Sequence, residues 1–458
     1  MNRFLLGIVL LAGCASIDVQ RPAVELPAAW KEAAPRYAAD GRWWTVFGDA
    51  QLDRLVDEAL AGNADLTRAV ARVDEARALQ GEANSFFFPR LDAQFVNSRQ
   101  QNSVRTATAV AGMPREYGNH RAGLGLSYEV DLFGRLRASA AAAGAELQAS
   151  EAARDGVRLA VAAQVAKSYF SLRSLDEQVE LTRRTVNLRE EALALQRRRH
   201  AGGVISEFDL RQLEAETAAV RALLPPLERD LEREEAALAV LLGRTPREVF
   251  GGSVAIRQTR DESPEPPVLP SGMPSELLLR RPDLVEAERN LAAANARVTV
   301  ARREMFPSIS LTGFLGSESA TLANLFSGSP AATWQLAAAV TQPIFAGGRL
   351  GARTDAAKAR ERAALAQYEQ AIRAAFGEIR TALAAQTRSR EGFEAESARA
   401  KALADTLRLA RLRYANGVAS QLDVIDAERG LLAAQVARIE ALRAHRAAVA
   451  DLFRALGG

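Results

Sequence analysis

The chain of 458 residues contains two similar halves, and this internal duplication constrains its fold more than any other feature. Matching segments follow one another in the same order in both halves. They are Phe88–Ala93 with Phe306–Leu311, Phe133-Gly134-Arg135-Leu136 with Phe345-Ala346-Gly347-Gly348-Arg349-Leu350, Ala201–Leu210 with Ala415–Val424, and Gly243 with Gly457. Each half therefore predicts the same series of a helix, two strands, a very long helix, a glycine turn and a second long helix.

Short segments in each half show the alternation that is typical of β-strands. Apolar residues alternate with glycine or polar residues over 124–132, and Trp334, Leu336, Ala338 and Val340 repeat the pattern. One apolar face suits a membrane barrel, with lipid outside and Glu129 and Asp131 in a wet interior. The alternative is a pair of solvent-exposed hairpins on a soluble protein.

The number of strands limits how such a barrel can close. Partner strands are predicted to begin after Pro89 and Pro307, and polar loops are predicted at 97–121 and 317–330. Four strands cannot close a barrel, and an open sheet edge in lipid leaves backbone groups unpaired. Several chains must therefore contribute. Two chains would give eight strands and a filled interior, whereas three would give twelve strands and an open pore; the residues alone leave both open.

Long helices form the bulk of the prediction. The segment 135–200 contains no proline and little glycine, and it predicts a helix of about 100 Å. Apolar residues recur along it at spacings of three, four and seven: Leu172, Leu175, Val179, Val186 and Leu193. These spacings predict a coiled-coil seam.

Glycine turns are predicted to fold each half into an antiparallel helical hairpin. Gly202-Gly203 ends the first long helix as a left-handed cap, and a second helix returns from Ser206. Pro225-Pro226 should kink this return helix. Asn416-Gly417 takes the place of the first turn in the second half. A soluble coiled-coil scaffold would explain the helices, but neither the strand pairs nor the N-terminus.

The N-terminus reads as a targeting segment. Met1-Asn2-Arg3 precedes an apolar core that is too short to span a bilayer. Leu11-Ala12-Gly13-Cys14 then resembles the bacterial lipobox, and Cys14 is the only cysteine of the chain. The alternative is a plain signal peptide with a chance cysteine. Ser16 occupies the second position after Cys14. By resemblance to other bacterial lipoproteins, the absence of Asp at this position implies sorting of the lipidated protein to the outer membrane.

Composition excludes several classes of protein. No apolar run after the N-terminus approaches the ~18 residues that a membrane-spanning helix needs. One Cys and 3 His argue against disulfides and against a zinc or iron–sulfur cluster. The 59 basic and 56 acidic residues interleave, as on solvated helix faces and not in a nucleic-acid patch. No P-loop, nucleophile elbow or zinc-binding spacing is present, so we expect neither an enzyme nor a cofactor.

These observations predict a domain plan with two repeats and two proline-rich connections. The plan is a signal peptide at 1–13, a lipidated N-terminal strap at 14–50, the first repeat at 51–243, an equatorial connector at 244–275 and the second repeat at 276–458. The two connections lack helical or strand periodicity, so we expect extended straps over the helices.

A set of short motifs follows this plan in a fixed order. They are Trp43–Asp49, Asn63–Leu66, Leu277–Leu284, Ala292–Ala296, Phe306-Pro307, Phe345–Arg349 and Tyr414–Val418. From Cys14 to the C-terminus, the ordered set resembles the TolC-like outer-membrane factor family, in the lipoprotein branch that serves RND-type drug efflux pumps. The resemblance implies a homotrimer with a twelve-stranded outer-membrane β-barrel and an α-helical periplasmic tunnel. It also implies a periplasmic adaptor (membrane fusion) protein and an inner-membrane RND-type pump as partners.

The resemblance also implies a gate, because family members close the periplasmic end with rings of residues just past the second glycine turn. By position, Leu422 would give an apolar ring and Asp426 an acidic ring, and Asp423 is a second candidate for an acidic residue of the gate. The alternative for both Asp423 and Asp426 is a solvated first-turn carboxylate that complements the helix dipole. Arg429 and Tyr414 would act as tethers to neighbours. Leu422 and Asp426 are four residues apart and therefore share one face of a helix.

The glycine–valine turns give a second candidate site. Gly203-Val204 and Gly417-Val418 resemble the adaptor-docking tips of the family, although simple helix caps would also explain them. The two hairpins are not equivalent beyond the turns, because Leu213-Glu214 stands where the second half has a further Asp.

Together these features predict a passive export duct for drugs or other small toxic compounds. Metal-ion or protein export and a non-channel structural lipoprotein are the alternatives. Four Met without a cluster argue weakly against soft-metal export, and the lipobox favours RND partners over protein secretion.

Overall fold

The computed structural model describes residues 41–103, 105, 114–251 and 281–458, so Cys14 and the lipobox lie outside it. The first elements are a 3₁₀ helix, Trp43–Phe47, and the helices α1 (Ala50–Gly62) and α2 (Ala64–Ser85). The three aromatic side chains of the 3₁₀ helix are buried. This end of the predicted strap is therefore part of the core and not extended, because burial of large aromatic side chains is strongly favourable.

Four strands form one antiparallel sheet in the order β1-β2-β3-β4. They are β1 (Arg90–Gln101), β2 (Glu116–Val130), β3 (Ser308–Ser319) and β4 (Ala332–Thr341). β1 and β3 begin directly after Pro89 and Pro307, as predicted. Within the described residues of one chain, β1 and β4 each keep one edge without a paired strand.

The register of the sheet brings the predicted apolar residues to one face. Leu124 pairs with Leu315, and Leu315 pairs with Trp334. Glu129 lies on the opposite face, where it forms an ion pair with Arg135 at 2.7 Å. One apolar and one polar face is the pattern of strands that separate lipid from a wet interior.

The strands continue further into polar sequence than the alternation indicated. The predicted loops at 97–121 and 317–330 were wrong at their ends, because β1 continues to Gln101, β2 begins at Glu116 and β3 continues to Ser319. Polar side chains pair across the strands there, as between Arg99 and Glu116 at 2.9 Å. Ladder hydrogen bonds need no apolar face, so antiparallel pairing extends beyond the apolar band.

The first long helix, α3 (Arg135–Ala201), has 67 residues and is about 100 Å long. The carboxylate of Asp131 accepts hydrogen bonds from the backbone N–H groups of Leu136 (3.0 Å) and Arg137 (2.9 Å) at its start. Burial alone would raise the pKa of Asp131, but these two N–H groups and the Arg137 guanidinium together lower it. An acidic cap at a helix N-terminus is also favoured by the helix dipole.

The return helix of the first half is divided in two, as Pro225-Pro226 predicted. α4 (Glu207–Arg221) ends before α5 (Leu224–Leu241), whose first turn holds the prolines. Proline is tolerated there because the first N–H groups of a helix need no intrahelical partner. The predicted connector at 244–275 begins with a further short helix, α6 (Pro246–Phe250), and is therefore not extended throughout.

The second half repeats the plan with α7 (Pro282–Arg303), α8 (Arg349–Ala415) and α9 (Gln421–Leu456). α8 has 67 residues, the same length as α3. α9 contains no proline and continues for 36 residues without a break. Among the helices that the structure describes, none combines the length and the apolar character needed to cross a bilayer.

The chain folds into two compact units, and each unit takes segments from both halves. The described parts of 73–150 and 286–369 form one unit, which contains the sheet. The described parts of 41–72, 151–285 and 370–458 form the other, which contains both hairpin turns. The predicted boundaries 51–243 and 276–458 follow the duplication, whereas the compact units combine equivalent parts of the two repeats.

Candidate functional site

Both hairpin turns end a long helix in the same backbone conformation. Gly203 and Gly417 each have φ near +74°, in the left-handed region that favours glycine. The N–H groups of Val204 and Val418 donate to carbonyl groups five residues earlier, at 2.9 and 3.0 Å. This is the Schellman end that satisfies the last carbonyls of a helix.

The valine side chains project from these turns. Val204 is 64% exposed and Val418 is 65% exposed. The duplication therefore presents the same apolar side chain, equally exposed, on each hairpin. A helix cap needs the glycine but not an exposed valine.

The first turn of α9 is held by a capping box. The side chain of Asp423 accepts hydrogen bonds from the Ser420 N–H at 2.8 Å and the Ser420 hydroxyl at 2.9 Å. The Ser420 N–H, followed by the hydroxyl, lowers the pKa of Asp423. Of the two roles weighed for Asp423, the structure places its carboxylate on its own helix start.

Leu422 and Asp426 lie on the exposed face of α9, one turn apart, as the spacing predicted. The adjacent residues Ile425 and Ala427 are buried. The carboxylate of Asp426 lies 3.7 Å from the Arg429 guanidinium on the same helix face. An apolar and an acidic side chain are thus presented together, directly after the turn.

Arg429 connects the two hairpins within one chain. Its guanidinium forms an ion pair with Glu216 of α4. The carboxylate of Glu216 also lies 3.3 Å from the guanidinium of Arg189 on α3, and Arg189 is buried. The sequence predicted Arg429 as a tether to neighbours, and that role stays a prediction; within the chain, its ion pair joins the return helices of the two halves.

A second carboxylate extends this contact to the remaining helix. Glu428 of α9 lies 3.9 Å from Arg189 and forms an ion pair with Arg411 of α8 at 2.8 Å. The five residues Arg189, Glu216, Arg411, Glu428 and Arg429, here called the hairpin clamp, join α3, α4, α8 and α9. Tyr414, the other predicted tether, is half-buried in α8, where its carbonyl accepts the N–H of Gly417 at 3.0 Å.

Sequence reasoning missed Arg189, Glu216, Arg411 and Glu428. A signal for Arg189 was present, because the α3 seam alternates apolar and polar residues. These residues are Val179, Thr182, Val186, Arg189, Leu193 and Gln196, and all are buried. A charged residue in a coiled-coil seam demands a partner and fixes the register of the helices that supply it.

Among the described residues, no group of histidine, cysteine and carboxylate side chains has the arrangement of a metal site. The described site contains no feature that points to a cofactor. Its chemistry is that of apolar and charged side chains at the ends of two linked hairpins.

Comparison with known proteins places this architecture in a family. The family model described as outer membrane efflux protein matches residues 55–244 and 273–458. The chain is similar to the antibiotic efflux pump outer membrane protein ArpC of Pseudomonas putida, with 34% identity over 475 residues, 100% of this chain and 96% of the relative. It is 33% identical over 464 residues to SilC of Salmonella typhimurium, a probable outer membrane lipoprotein, with 98% and 97% of the chains covered. The cation efflux system protein CusC of Escherichia coli K12 is 32% identical over 457 residues, with 98% and 97% covered.

Solved structures agree with this family assignment. The CmeC outer membrane channel of Campylobacter jejuni superposes with a TM-score of 0.85 at 27% identity, covering 95% of this chain and 90% of that chain. The open state of the MtrE outer membrane channel of Neisseria gonorrhoeae superposes with a TM-score of 0.80 at 33% identity, covering 96% and 97%. The predicted fold class, long helical hairpins with four strands that contribute to a shared barrel, is confirmed. The chain belongs to the outer membrane efflux protein family, whose members are transport ducts.

Proposed function

We propose that three copies of this chain form an outer-membrane channel that serves as the passive export duct of a tripartite efflux pump. The observation that carries this proposal is the combination of elements in one chain. A four-stranded sheet has one apolar face and two open edges, and two 67-residue helices end in matched turns. The sheet suits a shared barrel in lipid, and the helices suit a long periplasmic extension.

The partners follow from the turns. Val204 and Val418 are exposed apolar side chains at two equivalent hairpin ends, and they suit docking of a periplasmic adaptor. The adaptor would connect the duct to an inner-membrane RND-type pump, which supplies the energy. In this proposal the duct itself is passive, and the pump drives export through it.

The resting channel is closed at Leu422 and Asp426. Three hairpins that converge on one axis would bring three Leu422 side chains together as an apolar constriction and three Asp426 carboxylates as a cation-attracting ring. The hairpin clamp holds α9 against α3 and α4 in this arrangement. An adaptor favours opening only by binding the open form more tightly.

The N-terminus anchors the duct. The lipobox supports acylation of Cys14, and similarity to SilC, a probable outer membrane lipoprotein, agrees with it. Mass spectrometry of the mature N-terminal peptide tests this, because an unmodified N-terminus elsewhere would contradict it. Cys14→Ser should weaken anchoring while the trimer persists, since the barrel still inserts.

Drugs and other small toxic compounds are the favoured cargo. Similarity to the antibiotic efflux protein ArpC supports this class, and similarity to the cation efflux protein CusC supports metal ions as the second candidate. The chain has only 4 Met, so it offers few of the soft thioether ligands that copper or silver ions favour.

Export by intact cells tests the proposed function. Deletion of the gene, with adaptor and pump left in place, should raise accumulation of a fluorescent dye and lower tolerance to large antibiotics. A wild-type copy should restore both. Unchanged dye accumulation together with lost copper or silver tolerance would favour metal export, and no change in any of them would contradict an export duct.

A further inference from the structure

The duplication gives each half the same aromatic residues beside its strands, but among the described residues of one chain only one of the two expected contacts is formed. Phe133, just after β2, packs against Phe306, just before β3, with ring centroids 5.3 Å apart. Phe345 is the counterpart of Phe133 in the second half, and Phe88 is the counterpart of Phe306 in the first. Phe345 is 91% exposed and Phe88 is 72% exposed.

These two side chains flank the two open edges of the sheet. Phe345 follows β4 and Phe88 precedes β1, and β4 and β1 are the outer strands. A ring of chains closes when the β4 edge of one chain meets the β1 edge of the next. We propose that this interface repeats the β2–β3 contact, so that Phe345 packs on Phe88 of the partner subunit. The proposal rests on the trimeric channel architecture and not on the gate.

The same equivalence fixes the strand register of the interface. Within the chain, His120 pairs with Ser319 and Leu126 pairs with Gly313. Matching the halves on their aromatic residues transfers these pairs to Ala332 with Gln101 of the partner subunit, and to Ala338 with Phe95 of the partner subunit. β4 begins at Ala332 and β1 ends at Gln101, so the proposed pairing joins the first residue of one strand to the last residue of the other.

Side-chain size also agrees with this register. Within the sheet, Gly313 lies between Leu126 on β2 and Leu336 on β4, a small residue between two large ones. Phe95 already lies opposite Ala122. In the proposed interface its other neighbour is Ala338, so a large residue lies between two small ones on the lipid face. A shift by two residues would place Ala338 opposite Ala93 or Asn97 and lose this fit.

Cysteine cross-linking tests the register directly. Opposite residues on paired strands have Cα atoms within the 4.4–6.8 Å range of a disulfide, whereas pairs shifted by two residues lie at about 7–8 Å. The double variant A338C/F95C should form a covalent trimer on mild oxidation of the detergent-solubilised protein. The matched pairs A338C/A93C and A338C/N97C and the single variants should cross-link several-fold less. Strongest cross-linking by a shifted pair would overturn the register.

The aromatic contact has a separate test. F345A and F88A should each lower the temperature at which the trimer dissociates in detergent. The double variant should dissociate at nearly the same temperature as the less stable of the two single variants, because both substitutions remove the same contact. F326A removes a comparably exposed aromatic side chain from the β3–β4 connection and should leave the temperature unchanged. Additive shifts, or no shift in either single variant, would show that the two rings contact lipid or another protein and would overturn the contact.

Discussion

Asn63 and Arg281 occupy equivalent positions in the two halves, two residues before the matching dipeptides Asp65-Leu66 and Asp283-Leu284. Each donates a side-chain hydrogen bond to the last turn of the helix that ends its own half, α5 for Asn63 and α9 for Arg281. The amide of Asn63 donates to the carbonyl of Leu241 at 2.9 Å, and the guanidinium of Arg281 donates to the carbonyl of Ala455 at 2.7 Å. Both carbonyls lie two residues before a helix-ending glycine. The duplication therefore keeps the contact although the residue type differs.

Removing either donor should destabilise the chain. Asn63 also caps α2, so N63A should cost about 1–2 kcal/mol. Arg281 is buried and also bonds Asp283 and Glu378; because both carboxylates are half-exposed, R281M should cost about 2–3 kcal/mol and not more. Denaturant titration of the detergent-solubilised protein measures both. R68A, which removes an exposed arginine, should change the free energy of unfolding by less than about 0.5 kcal/mol, and equal small changes in all three variants would contradict the assignment.

The hairpin clamp should control opening through Glu216. E216Q weakens the contact with Arg429 and leaves the buried Arg189 poorly compensated, so the closed arrangement should lose about 1.4 kcal/mol and open time should rise about tenfold. Single-channel recording measures the change.

Glu214 supplies the matched control for this variant. It forms ion pairs with Arg197 at 3.0 Å and Arg211 at 2.9 Å, both within the first hairpin. E214Q should therefore leave open time unchanged. Equal effects of E216Q and E214Q would assign the change to general loss of charge and not to the connection between hairpins.

Asp423 and Asp426 should have different functions, with Asp423 stabilising the start of α9 and Asp426 affecting ion selectivity. D423A removes the capping box, so the turn after α8 should exchange amide hydrogens faster at neutral pH while ion selectivity stays close to wild type. The folded pKa of Asp423 is lowered, so its stabilising effect is present at neutral pH and is lost as the pH falls through that pKa, below the ordinary value of 3.8. Hydrogen exchange, corrected for intrinsic rates, should show this loss in wild type and not in D423A. A large selectivity change in D423A would place its carboxylate in the pore.

The two valine tips should be needed for docking and not for the channel. V204E and V418E should lower capture of the adaptor and raise dye accumulation in cells, while trimer formation and conductance remain at wild-type levels. Val240 on α5 is 63% exposed, so V240E is a matched control that should leave adaptor capture unchanged. Normal adaptor capture by the double variant V204E/V418E would show that the turns are helix caps alone.

Local patterns predicted the elements that depend on local chemistry. Prolines at 89, 225, 226 and 307 marked the strand starts and the helix break, because proline restricts the backbone wherever it stands. The turns at Gly203 and Gly417 were predictable because glycine readily adopts the left-handed backbone that ends a helix. The ends of β2 were not, because strand pairing in polar sequence depends on a neighbour far away in the chain.

The same distinction between local and long-range features applies to the candidate site. Leu422 and Asp426 share a helix face because they are four residues apart, and this spacing is visible in the sequence. The pairing of Arg429 with Glu216 depends on the packing of α9 against α4, and no local pattern of charge specifies it. The buried Arg189 was detectable only as a polar interruption of the α3 seam.

The gate at Leu422 is the central claim, and planar-bilayer recording of the purified trimer tests it most directly. L422S should conduct more than wild type in the absence of any adaptor, because the apolar constriction is lost, while D426A should reduce the preference for cations. If L422S conducts like wild type and D426A keeps wild-type ion selectivity, the channel is not closed at these residues.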